Sequence, residues 1–205
     1  MTFKGLLFGV LGCLLMVLLP ESVLAGKPTE QLKETTDKII VLLKDPAMKG
    51  EEKKQVLQTM IRKCVDERFD WTEMSRRTLA RHWRDRTEEE KKTFIKLYGE
   101  HLERTYRDRI DDYSGEMVRY EDEIIEERYA SVTAKVITKK QTEIPVIYRM
   151  KKNGEDWYVY DISIEGVSLI NNFRKQFNSI IHRNSYGKLI DMLKAKAEEE
   201  KEQNK

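Results

Sequence analysis

The sequence predicts an α+β domain in which helices pack against a single antiparallel sheet. Apolar residues recur at three- and four-residue spacing over residues 28–113, alternate over residues 117–164, and return to helical spacing over residues 168–197. The connections between the alternating segments are short, which favours an antiparallel meander of about four strands. Helices that flank one such sheet in the sequence are typical of the α+β class.

The first 25 residues are expected to be a cleavable export signal, followed by a domain over residues 26–197. Lys4 precedes an uncharged apolar run from Gly5 to Leu19, and Val23–Ala25 supplies the cleavage site before Gly26. This run is shorter than the roughly 20 residues of a membrane-spanning helix. We therefore expect a soluble, exported mature chain.

Composition argues against two further classes of protein. The chain has 205 residues, with 38 Lys and Arg against 36 Asp and Glu, so it lacks the strong basic excess typical of nucleic-acid binding. Cys13 lies in the export signal, which leaves Cys64 alone in the mature chain and excludes an internal disulfide. The apolar neighbours of Cys64 indicate a small buried hydrophobe.

Two helices are predicted at the start of the domain. The first covers about Thr29–Lys44 and ends at Asp45, because a residue before proline leaves the α region. The second covers about Gly50–Arg68. Its apolar stripe comprises Val56, Leu57, Met60, Ile61, Cys64 and Val65.

Two capping boxes begin the next helices. Asp70 with Glu73 begins the third, and Thr87 with Glu90 begins the fourth, which extends to about Asp112. The third helix is expected to carry apolar residues on one side and arginines on the other. The apolar stripe comprises Phe69, Thr72, Leu79 and Trp83, and the basic side comprises Arg77, Arg81 and Arg84.

The predicted strands follow in close succession. Residues 131–138, 144–150 and 157–164 alternate strongly, and residues 117–125 form a weaker strand. Asn153-Gly154 is a strong hairpin signal between the last two strands.

The end of the chain returns to helix. Ser168 is interpreted as the cap of a fifth helix, and a short sixth helix carries Leu189, Ile190 and Leu193. The charged tail over residues 198–205 is expected to be frayed.

No motif for metal, cofactor or covalent chemistry is found. His82, His101 and His182 are too far apart for a helical metal pair, and glycine-rich phosphate loops and C-x-x-C pairs are absent from the sequence. We interpret His101 as a hydrogen-bonded structural histidine. No cofactor, no metal and no catalytic residue is therefore expected.

Two acidic features leave alternatives open. A cluster near the first strand is interpreted as a solvated sheet edge, with a cation site as the alternative. Asp161 lies between apolar strand residues, where a carboxylate is either a general base in a pocket or part of a structural ion pair. The cluster comprises Glu121, Asp122, Glu123, Glu126 and Glu127.

Many aromatic and aliphatic side chains are expected to point inward. Periodicity does not distinguish a filled core from a lined cavity, so both interpretations stand at this point. The inward set comprises Phe69, Leu79, Trp83, Phe94, Tyr98, Leu102, Tyr106, Val132, Val136, Val146, Tyr148, Trp157, Phe173 and Phe177.

Three stretches carry a resemblance to a known family. They are Phe69–Arg84, Thr87–Tyr113 and Trp157–Ile181, with the motifs MSRRTLARHWR at 74–84, TEEE at 87–90, WYVYDI at 157–162 and EGVSLI at 165–170. Together they resemble the MlaC family, also called the toluene-tolerance auxiliary proteins. Ala80 departs from the family pattern, which often has glycine there.

The resemblance implies an NTF2-like fold, a curved antiparallel sheet packed against helices with a helical extension. It also implies a periplasmic phospholipid carrier that exchanges lipid between an outer-membrane lipoprotein–porin complex and an inner-membrane lipid ABC transporter. Such exchange maintains the lipid asymmetry of the outer membrane. The inward set would then contact lipid, and we expect Arg77, Arg81 and Arg84 to dock a partner.

Three alternatives to the phospholipid carrier remain. The cargo could be another polar lipid, such as a hopanoid. An enzyme of the same architecture, an isomerase or hydratase, could use Asp161 and Tyr148 in a smaller pocket. A periplasmic adaptor would have a filled core.

Overall fold

The computed structural model describes residues 27–203, and the predicted export signal lies outside them. Within this range the helices are α1 (Lys27–Lys44), α2 (Glu51–Arg68), α3 (Trp71–Leu79), α4 (Glu88–Asp111), α5 (Leu169–Arg183) and α6 (Tyr186–Gln203). The strands are β1 (Met117–Glu126), β2 (Tyr129–Ile137), β3 (Glu143–Asn153), β4 (Asp156–Ile164) and β5 (Val167–Ser168).

The predicted antiparallel meander is confirmed. The five strands lie side by side in sequence order, and every neighbouring pair is antiparallel. The four longer strands match the four predicted ones. The short strand β5 was not predicted, because two residues are too few to show an alternating pattern.

Helices cover both faces of the sheet. The helical cover, α1 and α2, lies over the face that we call the cover face, which carries Val132 and its cross-strand neighbour Tyr148. The opposite face, here called the core face, carries Asp161 and its neighbour Arg149. Helices α3 to α6 lie on that side.

Helices α3 to α6 enclose a helical core of their own. The Tyr98 ring packs edge-on against Phe173 and Phe177, with centroids 5.6 and 5.7 Å away, and stacks on Phe94 at 5.5 Å. The hydroxyl of Thr78 donates to the Tyr98 hydroxyl at 3.1 Å, so the buried phenol has a partner. These side chains are almost completely buried, as in a filled protein interior.

The predicted caps at three helix starts are confirmed. Asp70 Oδ1 accepts from the Glu73 amide at 2.8 Å, and Ser168 Oγ accepts from the Asn171 amide at 3.1 Å. Thr87 and Glu90 bond reciprocally, side chain to amide, as a capping box requires.

The predicted apolar stripe of the third helix was wrong in part: Leu79 is buried and Phe69 and Trp83 pack against the helical core, but Thr72 does not. Helix α3 ends at Leu79 because Ala80 adopts φ 49° and ψ −118°, and a 3₁₀ turn follows over Ala80–Trp83. Phe69 therefore precedes the helix, Trp83 follows it, and Thr72 is exposed. The side that α3 buries comprises Glu73, Met74, Ser75, Thr78 and Leu79.

Two further helices differ from expectation. Of the 18 residues of α2, all described, Ile61 alone is fully buried. Cys64 is a half-buried free thiol rather than part of a buried stripe. Helix α6 continues to Gln203, so it is longer than the short helix expected and takes in the backbone of the predicted frayed tail.

Candidate ligand cleft between the sheet and the helical cover

Polar contacts fix the first half of α1 to the cover face. The amide and hydroxyl of Thr29 donate to Glu123 of β1 at 2.7 and 2.6 Å. Further along, the Tyr120 hydroxyl donates to Thr36 Oγ1 at 3.0 Å. Between these two points, Leu32 is buried against the sheet. Helix α1 therefore runs along the sheet from the Glu123 end toward the start of β1.

A second set of contacts fixes the end of α2. The Arg68 guanidinium donates to Thr35 Oγ1, to Gln31 Oε1 and to the Trp157 carbonyl, at 3.1, 3.0 and 2.9 Å. It thus joins α2, α1 and β4 at one point. Phe69 follows in extended conformation beside β4, where the Asp70 amide donates to the Val159 carbonyl at 2.9 Å.

Beyond these anchors, apolar residues of α1, α2 and the sheet are only half-buried. A helix rises 1.5 Å per residue, so the second half of α1 continues past Thr36 toward the far strand ends. Side chains there are only half-buried, and neither core cluster of the described residues includes them. The two walls comprise Ile39, Ile40, Leu43 and Leu57 of the cover and Val118, Val136, Ile144 and Ile164 of the sheet. We take the region between these two half-buried walls as the candidate ligand cleft.

The middle of the cover face of the sheet, around Tyr148, carries uncharged side chains. Tyr148 projects from the cover face beside Val132 and Ile162. Burial raises the pKa of the Tyr148 phenol, so the group stays neutral at physiological pH. A neutral wall of this kind suits an apolar ligand.

Asp161 lies on the opposite face of the sheet from Tyr148. It pairs with Arg149, one position along from the Tyr148–Ile162 pair, and successive side chains alternate between faces. Its carboxylate accepts from Ser168 Oγ at 2.7 Å, from the Ile170 amide at 3.1 Å and from Arg149 at 3.1 Å. Asp161 is therefore a structural ion-pair residue, and the pocket expected from an Asp161–Tyr148 pair is not formed.

The inward set predicted from the sequence divides into two groups. One group packs in or against the helical core, and the other lies on the cover face. Phe69 packs against both clusters. The helical group comprises Leu79, Trp83, Phe94, Tyr98, Leu102, Tyr106, Phe173 and Phe177, and the sheet group comprises Val132, Val136, Val146, Tyr148 and Trp157.

Several cleft residues were missed in the inward set. Ile39, Ile40 and Leu43 belong to the predicted first helix, where their spacing indicates one apolar side but not what that side faces. Ile144 alternates with Val146 and could have been found by extending that strand pattern.

The acidic cluster is largely explained by contacts within the chain. Glu123 holds the start of α1, and Glu121 pairs with Lys135 at 3.0 Å and Arg119 at 3.1 Å. Within the described range, no group of three His, Cys, Asp or Glu residues is placed to hold a metal ion. The cluster is thus a charged sheet edge that also anchors a helix.

The three predicted docking arginines differ in their surroundings. Arg77 pairs with Glu73 at 2.8 Å and stacks 4.0 Å from the Tyr160 ring centre. Arg81 donates to Asn178 Oδ1 at 3.1 Å and is exposed, as is Arg84. Arg77 therefore has a structural role, and the other two are available at the surface.

Glu73 is a charged group inside this part of the fold. Burial alone would raise the pKa of its carboxyl, but hydrogen bonds from Arg76 and Arg77 lower it to about 2. Lys151 of β3 adds a third contact at 3.3 Å. Glu73 thus ties α3 to the core face of the sheet.

His101 is structural, but not through the hydrogen bonding that we expected. Its ring packs edge-on against Phe173, with centroids 5.3 Å apart, and beside Phe177 at 6.3 Å. Burial lowers the pKa of the imidazole to about 4, with smaller contributions from Lys196 and Arg104. The ring is neutral at physiological pH.

The fold is a small α+β domain, with half-buried apolar walls on the sheet and on the helical cover. A family model described as MlaC protein matches residues 33–195, and the chain belongs to the MlaC family. Within the described range, none of the helices is both long and apolar enough to cross a bilayer.

Two known proteins are similar over most of their length. The intermembrane phospholipid transport system binding protein MlaC of Haemophilus influenzae is 20% identical over 176 residues, which are 83% of this chain and 82% of that protein. A phospholipid-binding protein of Ralstonia solanacearum, solved in complex with a phospholipid, matches with a TM-score of 0.75 and 22% identity. That match covers 83% of this chain and 96% of the other.

Proposed function

We propose that this protein carries a phospholipid between membranes, with the acyl chains in the cleft between the sheet and the helical cover. The observation that carries the proposal is the pair of apolar walls left half-buried on both sides of that cleft. In a protein of this size such side chains are ordinarily buried by one another. Acyl chains of a bound lipid would complete their burial. Membership of the MlaC family supports the same ligand.

The energetics of a lipid carrier fit a cleft of this kind. Burying a methylene from water is worth about 0.8 kcal/mol, so two chains of roughly 15 methylenes would give about 24 kcal/mol. That exceeds the practical affinity ceiling of about 18–21 kcal/mol. A lipid taken from a bilayer moves between two apolar surroundings, however, and the net free energy is near zero. Docking to a membrane complex can then shift the exchange in either direction.

The place of the protein in the cell follows from the same proposal. The export signal over residues 1–25 would deliver a mature chain beginning at Gly26 to the periplasm. There it would exchange lipid between an outer-membrane lipoprotein–porin complex and an inner-membrane lipid ABC transporter, and so maintain outer-membrane asymmetry. N-terminal sequencing of the protein from the periplasm tests the first step, and retention of residues 1–25 would contradict it.

Arg81 and Arg84 are proposed to dock an acidic partner. Both are exposed just after the end of α3, on the far side of the sheet from the cleft. Reversal of charge in Arg84→Glu should weaken binding of the membrane complexes while leaving the bound lipid unchanged. Loss of lipid with normal docking would contradict the assignment.

The ligand itself is tested by extraction. Protein purified without detergent is extracted with organic solvent, and the lipids are identified and counted by mass spectrometry. We expect phospholipid in near-stoichiometric amount. Protein free of lipid would contradict the proposal that it is a lipid carrier. A hopanoid in place of phospholipid would change the proposed cargo but not the proposed binding site.

A further inference from the structure

The helical cover is held to the helical core by polar contacts rather than by apolar packing. Helix α2 buries only Ile61 fully, while Val56 and Met60 are 48% and 38% exposed. At its end, Arg68 and Phe69 fix α2 to the sheet. One contact site nearer its middle, at Arg62, reaches across to the helical core.

Arg62 lies in a socket built from three elements. Its Nε donates to Asp66 of α2 at 2.7 Å, and its Nη1 donates to Glu103 of α4 at 2.9 Å. The guanidinium also lies over the Trp71 ring of α3, 4.9 Å from its centre. The Trp71 indole N–H donates to the same Asp66 oxygen at 2.7 Å. These contacts hold the Arg62 guanidinium, the Asp66 carboxylate and the Trp71 indole in one fixed arrangement.

Gly99 makes room for this socket. A Cβ at position 99 would lie 3.0 Å from Arg62 Nη2, tighter than nine in ten such contacts in proteins, so the guanidinium would have to shift by a few tenths of an ångström. Gly99 lies in the middle of α4, where glycine costs roughly 0.5–1 kcal/mol relative to alanine. The approach of Arg62 gives a physical reason for glycine at this helical position.

From this geometry we infer that Arg62 is a clasp that sets how fast lipid enters and leaves the cleft. The inference rests on the proposed function. Opening the cleft requires α2 to move away from the helical core about the extended connection at Phe69. The Arg62–Glu103 ion pair resists that movement directly, because it joins the moving helix to the fixed one. The Arg62 side chain is about one-quarter exposed and the Glu103 side chain about one-third exposed. Water can therefore replace their contact when the cover opens.

If Arg62 acts as a clasp, breaking its ion pair should change the rate of lipid transfer but not the amount of lipid bound per protein. Neither Arg62 nor Glu103 lines the apolar walls, so breaking the pair leaves the cleft itself intact. Ion pairs of this exposure are worth up to about 1 kcal/mol, which corresponds to an increase in opening of about two- to fivefold. Added salt should raise the rate of the native protein toward that of the variant, because salt screens the pair.

The test compares two glutamates of the same helix. Glu103→Gln breaks the clasp and also a 3.7 Å contact with Arg107 within α4. Glu89→Gln breaks a pair with Lys92 within the same helix, and so controls for the loss of an intrahelical pair. Each mature protein is loaded with a fluorescent phosphatidylglycerol, and its transfer to vesicles of phosphatidylethanolamine and phosphatidylglycerol is followed at low and high salt. Hydrogen exchange of the α2 amides is measured in parallel, and this measurement does not depend on any cargo.

We expect Glu103→Gln to transfer lipid about two- to fivefold faster than Glu89→Gln at low salt, with equal lipid per protein and faster exchange in α2. Equal transfer rates and equal exchange would overturn the clasp. If the native protein takes up no phospholipid, the proposed function fails, and hydrogen exchange alone decides whether the clasp holds the cover. A Glu103→Gln protein that melted as a whole would show faster exchange in every element, which would also overturn a local clasp.

Discussion

Apolar side chains on the two sides of the sheet are packed differently. In the helical core, the rings of Phe94 and Tyr98 are fully buried against other rings. Under the helical cover, residues such as Ile40 and Val136 remain half-buried, and polar contacts fix the first half of α1 to the sheet. The comparison illustrates how anchors in one half of a helix can hold it over a sheet while apolar side chains in its other half stay half-buried.

Removal of an aromatic ring from the helical core should have the largest effect on stability. Phe177 is 3% exposed and contacts three other rings of that core. Phe177→Ala should lower the free energy of unfolding by about 3–5 kcal/mol, because it leaves a cavity in a filled interior. Urea unfolding of delipidated protein measures it. The matched cleft variant Ile40→Ala should cost less than about 1 kcal/mol, since its side chain is not surrounded. Equal losses would contradict the distinction.

A second variant fills the cleft instead of emptying the core. Val146 projects from the cover face opposite Ala134 of β2, so a larger side chain at this position would extend toward the helical cover. Val146→Trp should displace acyl chains and lower the bound phospholipid per protein, with little change in the melting temperature of the delipidated protein. Overpacking of a filled core would instead cost about 1–3 kcal/mol. A variant that kept its full lipid load but unfolded more easily would place Val146 in ordinary core.

Acid should weaken the helical core through His101. Its folded pKa of about 4 lies below the ordinary value of 6.5, so the unfolded state binds the proton first and stability falls as the pH drops from about 6.5 to 4. The full shift would be worth about 3 kcal/mol, and solvent screening of this half-buried ring reduces the expected loss to about 1–2 kcal/mol.

The free energy of unfolding, measured at pH 7 and at pH 4, tests whether His101 causes this loss of stability. The native protein should lose more stability than His101→Phe, and the exposed His182→Gln should behave like the native protein. The Glu73 carboxyl, whose pKa is about 2, contributes a separate loss between about pH 4.5 and 2. Identical pH profiles for native protein and His101→Phe would disprove the assignment.

The smallest expected effect is a gain in stability at Ala80. Its φ of 49° and ψ of −118° match the first central position of a type II′ turn, where glycine is preferred. The side chain is exposed, so Ala80→Gly loses no packing and relieves strain. We expect the free energy of unfolding to rise by about 0.5–1 kcal/mol. Ala195→Gly, at an exposed helical position, should lower it by a similar amount. A lower free energy of unfolding for Ala80→Gly would contradict the proposed backbone strain at Ala80.

Most of the fold could be predicted from local pattern. Alternation located the four long strands, and the caps at Asp70, Thr87 and Ser168 located three helix starts to within a residue. The end of α3 was not predictable in this way, since Ala80 occupies a glycine-like conformation that its own chemistry disfavours. The departure from the family pattern at Ala80 was the available signal.

The cleft was harder to predict than the fold. Periodicity shows that Phe94 and Val136 each lie on an apolar side, but not that the first is enclosed by rings and the second faces open space. That distinction depends on which elements meet, and the sheet separates the two groups. Similarly, the pairing register of β3 and β4 places Tyr148 opposite Ile162 and Asp161 opposite Arg149, so Tyr148 and Asp161 lie on opposite faces of the sheet.

The anchors of α1 also determine the order in which the molecule can assemble. Thr29 and Glu123 are 94 positions apart in the chain, and Gln31 and Trp157 are 126 apart. Helix α1 is the first part of the domain to be synthesised, yet it has nothing to dock on until β4 has been made. Closing such long loops is slow and entropically costly, so the cover is expected to join last. Until then both cleft walls face water, and an interrupted chain would present them to other molecules as a surface prone to aggregation.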